Sequence, residues 1–127
     1  MGRLVELATA HEVSREEVYD VVLAAGGVID HSRNQGIIGR RHGPVIWIYY
    51  RVVDKIEQHY DEDEAKLLEE AGIQVKRIVA VDLSSHSRSV QLARKFCKRF
   101  MRRYATTVLD DGYRLYTYEQ FQEFNRL

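Results

Sequence analysis

Between Val75 and Tyr104 the hydrophobic period changes from about two residues to about 3.6, which dictates a strand followed by a helix. Val79, Val81 and Leu83 alternate with Ile78, Ala80 and Asp82, so one face of the strand is the more uniformly apolar. After the polar run Ser84 to Ser89, placed to cap a helix, Val90, Ala93, Phe96, Cys97, Phe100, Met101 and Tyr104 recur along one helical stripe. Thr106 to Leu109, the Asp110-Asp111-Gly112 turn and Tyr113 to Tyr116 read as a hairpin, Asp-Gly being a favoured tight-turn pair. Thr117-x-x-Gln120 has the spacing of a capping box, with Tyr116 and Phe121 as its staple, for a short helix from Tyr118 towards Asn125.

The first half carries the same kinds of signal. Leu4 to Ala8 is a short, partly alternating strand. Ser14-Arg15-Glu16-Glu17 is a capping box, Val13 and Val18 stand at the staple positions, and Val18, Val21, Val22 and Ala25 mark the buried helical face. Gly26-Gly27 ends that helix. Val28 to Asp30 and Gly36 to Gly39 are strand candidates around the turn His31 to Gln35, and Val45 to Val53 is β-branched and aromatic on both faces, as in a central strand. Asp61-Glu62-Asp63-Glu64 starts another helix, acids in its first turn suiting the dipole, with Leu67, Leu68 and Ala71 as its apolar stripe and Gly72 as its end.

The two stretches echo one another as strand, polar cap, helix and two short strands. The expected fold is α+β: a two-layer sandwich, its antiparallel or mixed sheet built from two β-α-β-β-like halves with the helices on one face. With 127 residues, one proline and no linker-like tract, the chain reads as a single domain over residues 1–127. Hydrophobic residues make up 45% and charged ones 30%, which fits a chain with a true core and not a disordered one. No apolar run reaches the length of a membrane span, and Glu6, His11 and Glu12 interrupt any secretory leader. The expected location is the cytoplasm, without membrane attachment, and Cys97 reads as a reduced, buried thiol.

Charge is balanced at 19 basic and 19 acidic residues, which disfavours a general nucleic-acid binder. Locally it is segregated: Arg94, Lys95, Lys98, Arg99, Arg102 and Arg103 meet no acid on their helix, while residues 54–70 are strongly acidic. The histidines show no metal-ligand spacing, no phosphate-cradling loop is present, and no cofactor is expected. His31-Ser32-Arg33 recurs as His86-Ser87-Arg88, both in predicted turns. A small enzyme would bring these turns together. A nucleic-acid-binding module would use the basic helix 90–104 instead.

Residues Arg77 to Ser85, Ser89 to Ala93, Thr107 to Gly112 and Tyr113 to Phe121, with the Ser14–Gly27 helix and the aromatic strand Val45–Tyr50, resemble small bacterial immunity proteins. Those proteins neutralise toxins of contact-dependent and type VI secretion systems. The resemblance implies a non-enzymatic protein that binds one cognate toxin and blocks its active site or substrate cleft. The resemblance rests on caps, turns and strands, so it transfers no binding residue. The contact candidates come from charge and residue type: acidic Asp61, Glu62, Asp63 and Glu64 first, because many toxin domains must approach anionic nucleic acids. Arg40, Arg41 and His42 in the loop Asn34 to His42 come next, with the aromatics Tyr49, Tyr50 and Tyr60, expected to be exposed.

Overall fold

The computed structural model describes residues 3–53 and 60–123. Along the chain these form β1 (Arg3–Thr9), α1 (Arg15–Ala24), β2 (Val28–Asp30), β3 (Gln35–Gly39), β4 (Val45–Val52), α2 (Glu62–Glu70), β5 (Arg77–Leu83), α3 (Ser89–Arg103), β6 (Thr107–Asp110), β7 (Leu115–Tyr116) and α4 (Tyr118–Glu123). The strands make one sheet in the order β2-β3-β4-β5-β1-β6-β7, with every neighbouring pair antiparallel. The fold is therefore α+β with an antiparallel sheet.

At the centre, β1, α1, β4, β5, α3 and β6 follow the succession β-α-β-β-α-β, and their strands lie as β4-β5-β1-β6. That is the order of the split β-α-β motif, in which each helix-linked strand pair admits a strand of the other unit between its members. The β2–β3 hairpin widens the sheet at one edge and β7 at the other. The expected echo of two halves does not carry into strand position. Val28–Asp30 forms the β2 edge, whereas Val108-Leu109-Asp110 lies in β6 beside β1; the place next to β5 belongs to β4.

Most of the core lies on one face of the sheet. Val5 and Leu7, Ile46 and Ile48, and Val79, Val81 and Leu83 meet Val18, Val21 and Val22 of α1 there, with Phe96, Cys97, Phe100 and Met101 of α3 and Phe121 of α4. The alternation in β5 and the helical stripe in α3 both resolve onto this interface. The other face holds a smaller cluster in which Leu68 of α2 covers Ala8, Ile78 and Val108, joined by Tyr60, Ile73 and Val75. Helices are thus not confined to one face: α2 packs opposite α1 and α3. Its stripe is also narrower than Leu67, Leu68 and Ala71, because only Leu68 is buried while Leu67 is 53% exposed.

The caps form as their spacing dictates. Ser14 and Glu17 exchange hydrogen bonds of 3.1 and 3.0 Å with each other's backbone N–H, and Asp61 and Glu64 do the same at 2.8 and 3.2 Å. Thr117 and Gln120 form the reciprocal pair at the start of α4; the expected extension of this helix to Asn125 lies outside the described residues. Two details differ from expectation. Residue Arg88 is the N-cap of α3 and makes no side-chain cap, whereas the Ser89 hydroxyl accepts from the Val45 N–H at 3.2 Å and ties the helix to β4. The β6–β7 connection is a four-residue loop, because Asp110 pairs with Leu115. Asp111 braces it by accepting from the Tyr113 and Arg114 N–H groups, both at 2.9 Å, and Gly112 takes a φ of 93°.

Candidate functional site

Strand register assembles a surface on the sheet face opposite α1 and α3. Ile37, Trp47, Asp82 and Leu4 are consecutive partners across β3, β4, β5 and β1, and two residues along each strand lie Gln35, Tyr49, Ala80 and Glu6. One further step brings Arg51, Ile78 and Ala8 into line. The Ile78 and Ala8 end is roofed by α2. Towards β3 and β4, Trp47, Tyr49, Ile37 and Asp82 stay only half-buried, and Leu4 is 47% exposed.

Along this end runs a groove of about 610 Å³, whose lining includes Ile37, Val45 and Trp47 together with Arg33, Arg41 and His42. Two turns present the cationic rim. Arg33 sits in the β2–β3 turn, where the Asp30 carboxylate accepts from the Ser32 N–H and hydroxyl at 3.1 and 2.6 Å. The Ser32 hydroxyl bond holds the Asp30 carboxyl below its ordinary value. Arg41 and His42 sit in the β3–β4 turn, closed by hydrogen bonds from Arg40 N–H to the Pro44 carbonyl and from Gly43 N–H to the Arg40 carbonyl, both 2.9 Å. His42 takes a φ of 67°, which turns the chain back into β4. Burial raises the Tyr49 hydroxyl above its usual range; the Asp82 charge adds to this and the Arg33 charge opposes it.

Next to the roofed end, the Glu6 carboxylate pairs with Arg51 at 3.3 Å. Burial, followed by the charges of Glu6, Asp110 and Glu64, pushes the Tyr60 hydroxyl well above its usual range. Tyr60 packs there with Ala8 and Ile78 of the sheet and Leu68 of α2.

The contact candidates fall into two groups. Arg41 and His42 line the groove on the open face and Arg40 is exposed in the same turn, while Tyr49 lies on that face further along β4, opposite Gln35. Asp61, Glu62, Asp63 and Glu64 form the start of α2 over the roofed end; Asp61 and Glu64 are occupied in the cap, while Glu62 and Asp63 are exposed. Two aromatics need correction. Tyr60 is 5% exposed and packs in the smaller core, so it offers no contact surface. Tyr50 faces the larger core, donates to the Val13 carbonyl and accepts from Arg77 Nε, both at 2.8 Å. Asp54, Lys55 and Glu57 of the acidic stretch lie outside the described residues.

The structure adds Trp47, Arg33 and Asp82 to the surface. A signal for Trp47 is present in the chain: Trp47, Tyr49 and Arg51 share one parity of β4 and Ile46, Ile48 and Tyr50 the other, and an arginine marks the wetter face. The two His-Ser-Arg turns are not brought together. His31 lies beyond the Asp30–Gln35 pair at one end of the sheet, and His86 follows Leu83 at the other. There His31 packs edge-on to Tyr19 at 6.1 Å between ring centres, while His86 Nδ1 accepts from the Arg88 N–H at 3.1 Å. Cys97 is fully buried, and burial alone pushes its thiol up to about 12.

Among the described residues no group of three or more His, Cys, Asp or Glu side chains is placed to hold a metal ion, and no helix is long and apolar enough to cross a membrane. Compared with family models, curated proteins and solved structures, the chain shows no match.

Proposed function

We propose that this protein is a stoichiometric inhibitor of another protein, an immunity protein that docks on a cognate bacterial toxin domain in the cytoplasm and covers its active site or substrate cleft. One observation carries this reading: Trp47 stands half-exposed in mid-sheet in one groove with Arg33, Arg41 and His42, and Tyr49 follows two residues along the same face of β4. Trp, Tyr and Arg are the side chains that most often dominate binding energy at protein interfaces. A regular sheet holds them rigidly, so little side-chain entropy is lost on docking.

In this reading α1 and α3 cover one sheet face, and the β3–β4 end of the other face, beyond the cover of α2, is left for a partner. The acidic start of α2, with Glu62 and Asp63, is exposed on the helix that packs on the same sheet face, and it selects a partner with a matching basic patch. A stable complex of this kind buries about 1,200–2,000 Å² in total. Turnover is no part of this function.

Co-expression tests the proposal. Cells producing a toxin domain encoded next to this gene are expected to survive when the protein is present, and cells producing unrelated toxins are not. Combining Trp47→Ala with Arg41→Glu is expected to abolish protection while leaving the thermal unfolding transition in place. Failure to neutralise the neighbouring toxin, or substrate turnover by the purified protein, would overturn the reading.

A further inference from the structure

We propose that the outer face of α3 is a separate surface that binds the phosphate backbone of duplex nucleic acid without reading its sequence. Lys95, Lys98, Arg99, Arg102 and Arg103 are all exposed, and among the described residues these five line a groove of about 580 Å³. Among the described residues none of the five has a carboxylate within 4.0 Å, whereas Arg51 does. Arg103 leans over the Tyr104 ring at 5.6 Å, and Glu17 is close enough for its carboxyl to feel the Arg103 charge.

Solvation of a surface helix does not account for this arrangement. Lys95 and Arg99, Lys98 and Arg102, and Arg99 and Arg103 are spaced i to i+4, where like charges destabilise a helix. The dipole at the C-terminus favours Arg102 and Arg103, but it does not reach Lys95 or Lys98, which lie further from that end. A bound polyanion removes the repulsion across the whole set. From Lys95 to Arg103 the helix rises about 12 Å, a length over which duplex DNA carries about seven phosphate charges.

Residue chemistry selects the occupant. The apolar face of α3, with Phe96, Phe100 and Met101, is fully buried, so the helix cannot insert into a lipid surface. Among the described residues no aromatic or aliphatic side chain lines the groove, so they supply neither the anchor of a protein hot spot nor the stacking platform that grips single-stranded bases. What it offers is cations for phosphates.

Fluorescence anisotropy of a labelled, arbitrary-sequence DNA duplex across a salt series tests this directly. Binding is expected to be indifferent to sequence, with log K falling against log salt at a slope of about −4 to −5 for five phosphate contacts. That slope is a loss of a few hundredfold between about 50 and 200 mM salt. Lys98→Gln with Arg102→Gln is expected to reduce the slope by about two, and Lys98→Arg with Arg102→Lys to keep it. Circular dichroism confirms that each variant is folded. Phosphatidylserine vesicles and polyglutamate serve as competing probes. Binding to either probe in preference to duplex, no binding to duplex at low salt, or a slope unmoved in the folded glutamine variant would each overturn the proposal.

Discussion

Ser14 shows how one side chain sets the start of an element. Its hydroxyl accepts from the Glu17 N–H while the Glu17 carboxylate accepts from the Ser14 N–H, so two donors at the end of α1 are satisfied. Ser14→Ala is expected to lower stability by about 1 kcal/mol, read from the midpoint of urea unfolding at unchanged slope. The Ser14 N–H, followed by the Ser14 side chain, holds the Glu17 carboxyl below its ordinary 4.5. Cys97 acts in the opposite direction. Its thiol keeps its proton in the folded core up to about 12, whereas the unfolded chain releases it near the ordinary 9.0. The unfolded state therefore binds fewer protons above that pH, and stability falls as pH rises from about 9 towards 12. Buried or part-buried Tyr60, Tyr49 and Tyr104 are shifted upwards as well and add to the fall. Urea melts on either side of pH 9 check this, and Cys97 is expected to resist Ellman's reagent until the protein unfolds. Rapid labelling of the native protein would contradict the burial.

At the scale of elements, close contact between α1 and the β2–β3 hairpin explains why Gly36 is glycine. A Cβ on Gly36 would meet Val22 Cγ2 at 2.8 Å and Cγ1 at 3.0 Å. Gly36→Ala is thus expected to destabilise by about 1–3 kcal/mol through overpacking. Combined with Val22→Ala, it is expected to cost less than the sum of the single changes, because the methyl fills space that valine vacates. Additive single and double mutants in urea unfolding would contradict the contact. The caps and glycine stops are legible in the chain because each depends on neighbours three or four residues away. Departures arise where distant groups compete: Ser89 stands at the end of a capping run for α3, but Val45, 44 residues away in sequence, takes its hydroxyl. Likewise Leu67 and Ala71 have helical spacing, yet α2 meets only a narrow strip of sheet and buries Leu68 alone.

Over the whole molecule, a formal charge of zero hides a strong polarity. The acidic α2 lies on one face of the sheet and the basic α3 on the other. The cations on α3 carry a cost in stability, since Lys98 has Arg94, Lys95 and Arg102 three or four residues away. Lys98→Glu converts these repulsions into attractions and is expected to raise stability by about 1 kcal/mol in low-salt urea unfolding, while weakening duplex binding. A destabilised but folded variant would mean that the neighbouring cations do not repel one another through Lys98. Stability and polyanion binding pull in opposite directions at this position.

Periodicity, caps and turn residues by themselves determined the identity of the elements, the inward face of α3 and the burial of Cys97, because these arise from interactions within a few residues and from the water-aversion of one stripe. Strand order, the side of the sheet that α2 covers, and the meeting of Trp47, Tyr49, Arg33 and Arg41 were decided only in the folded chain. The local pattern of β4 is the same whichever strands flank it, and it says nothing of whether a helix roofs its outer face. Pairing across dozens of residues settles both, by bringing β4 against β5 and leaving one end of that face to the solvent.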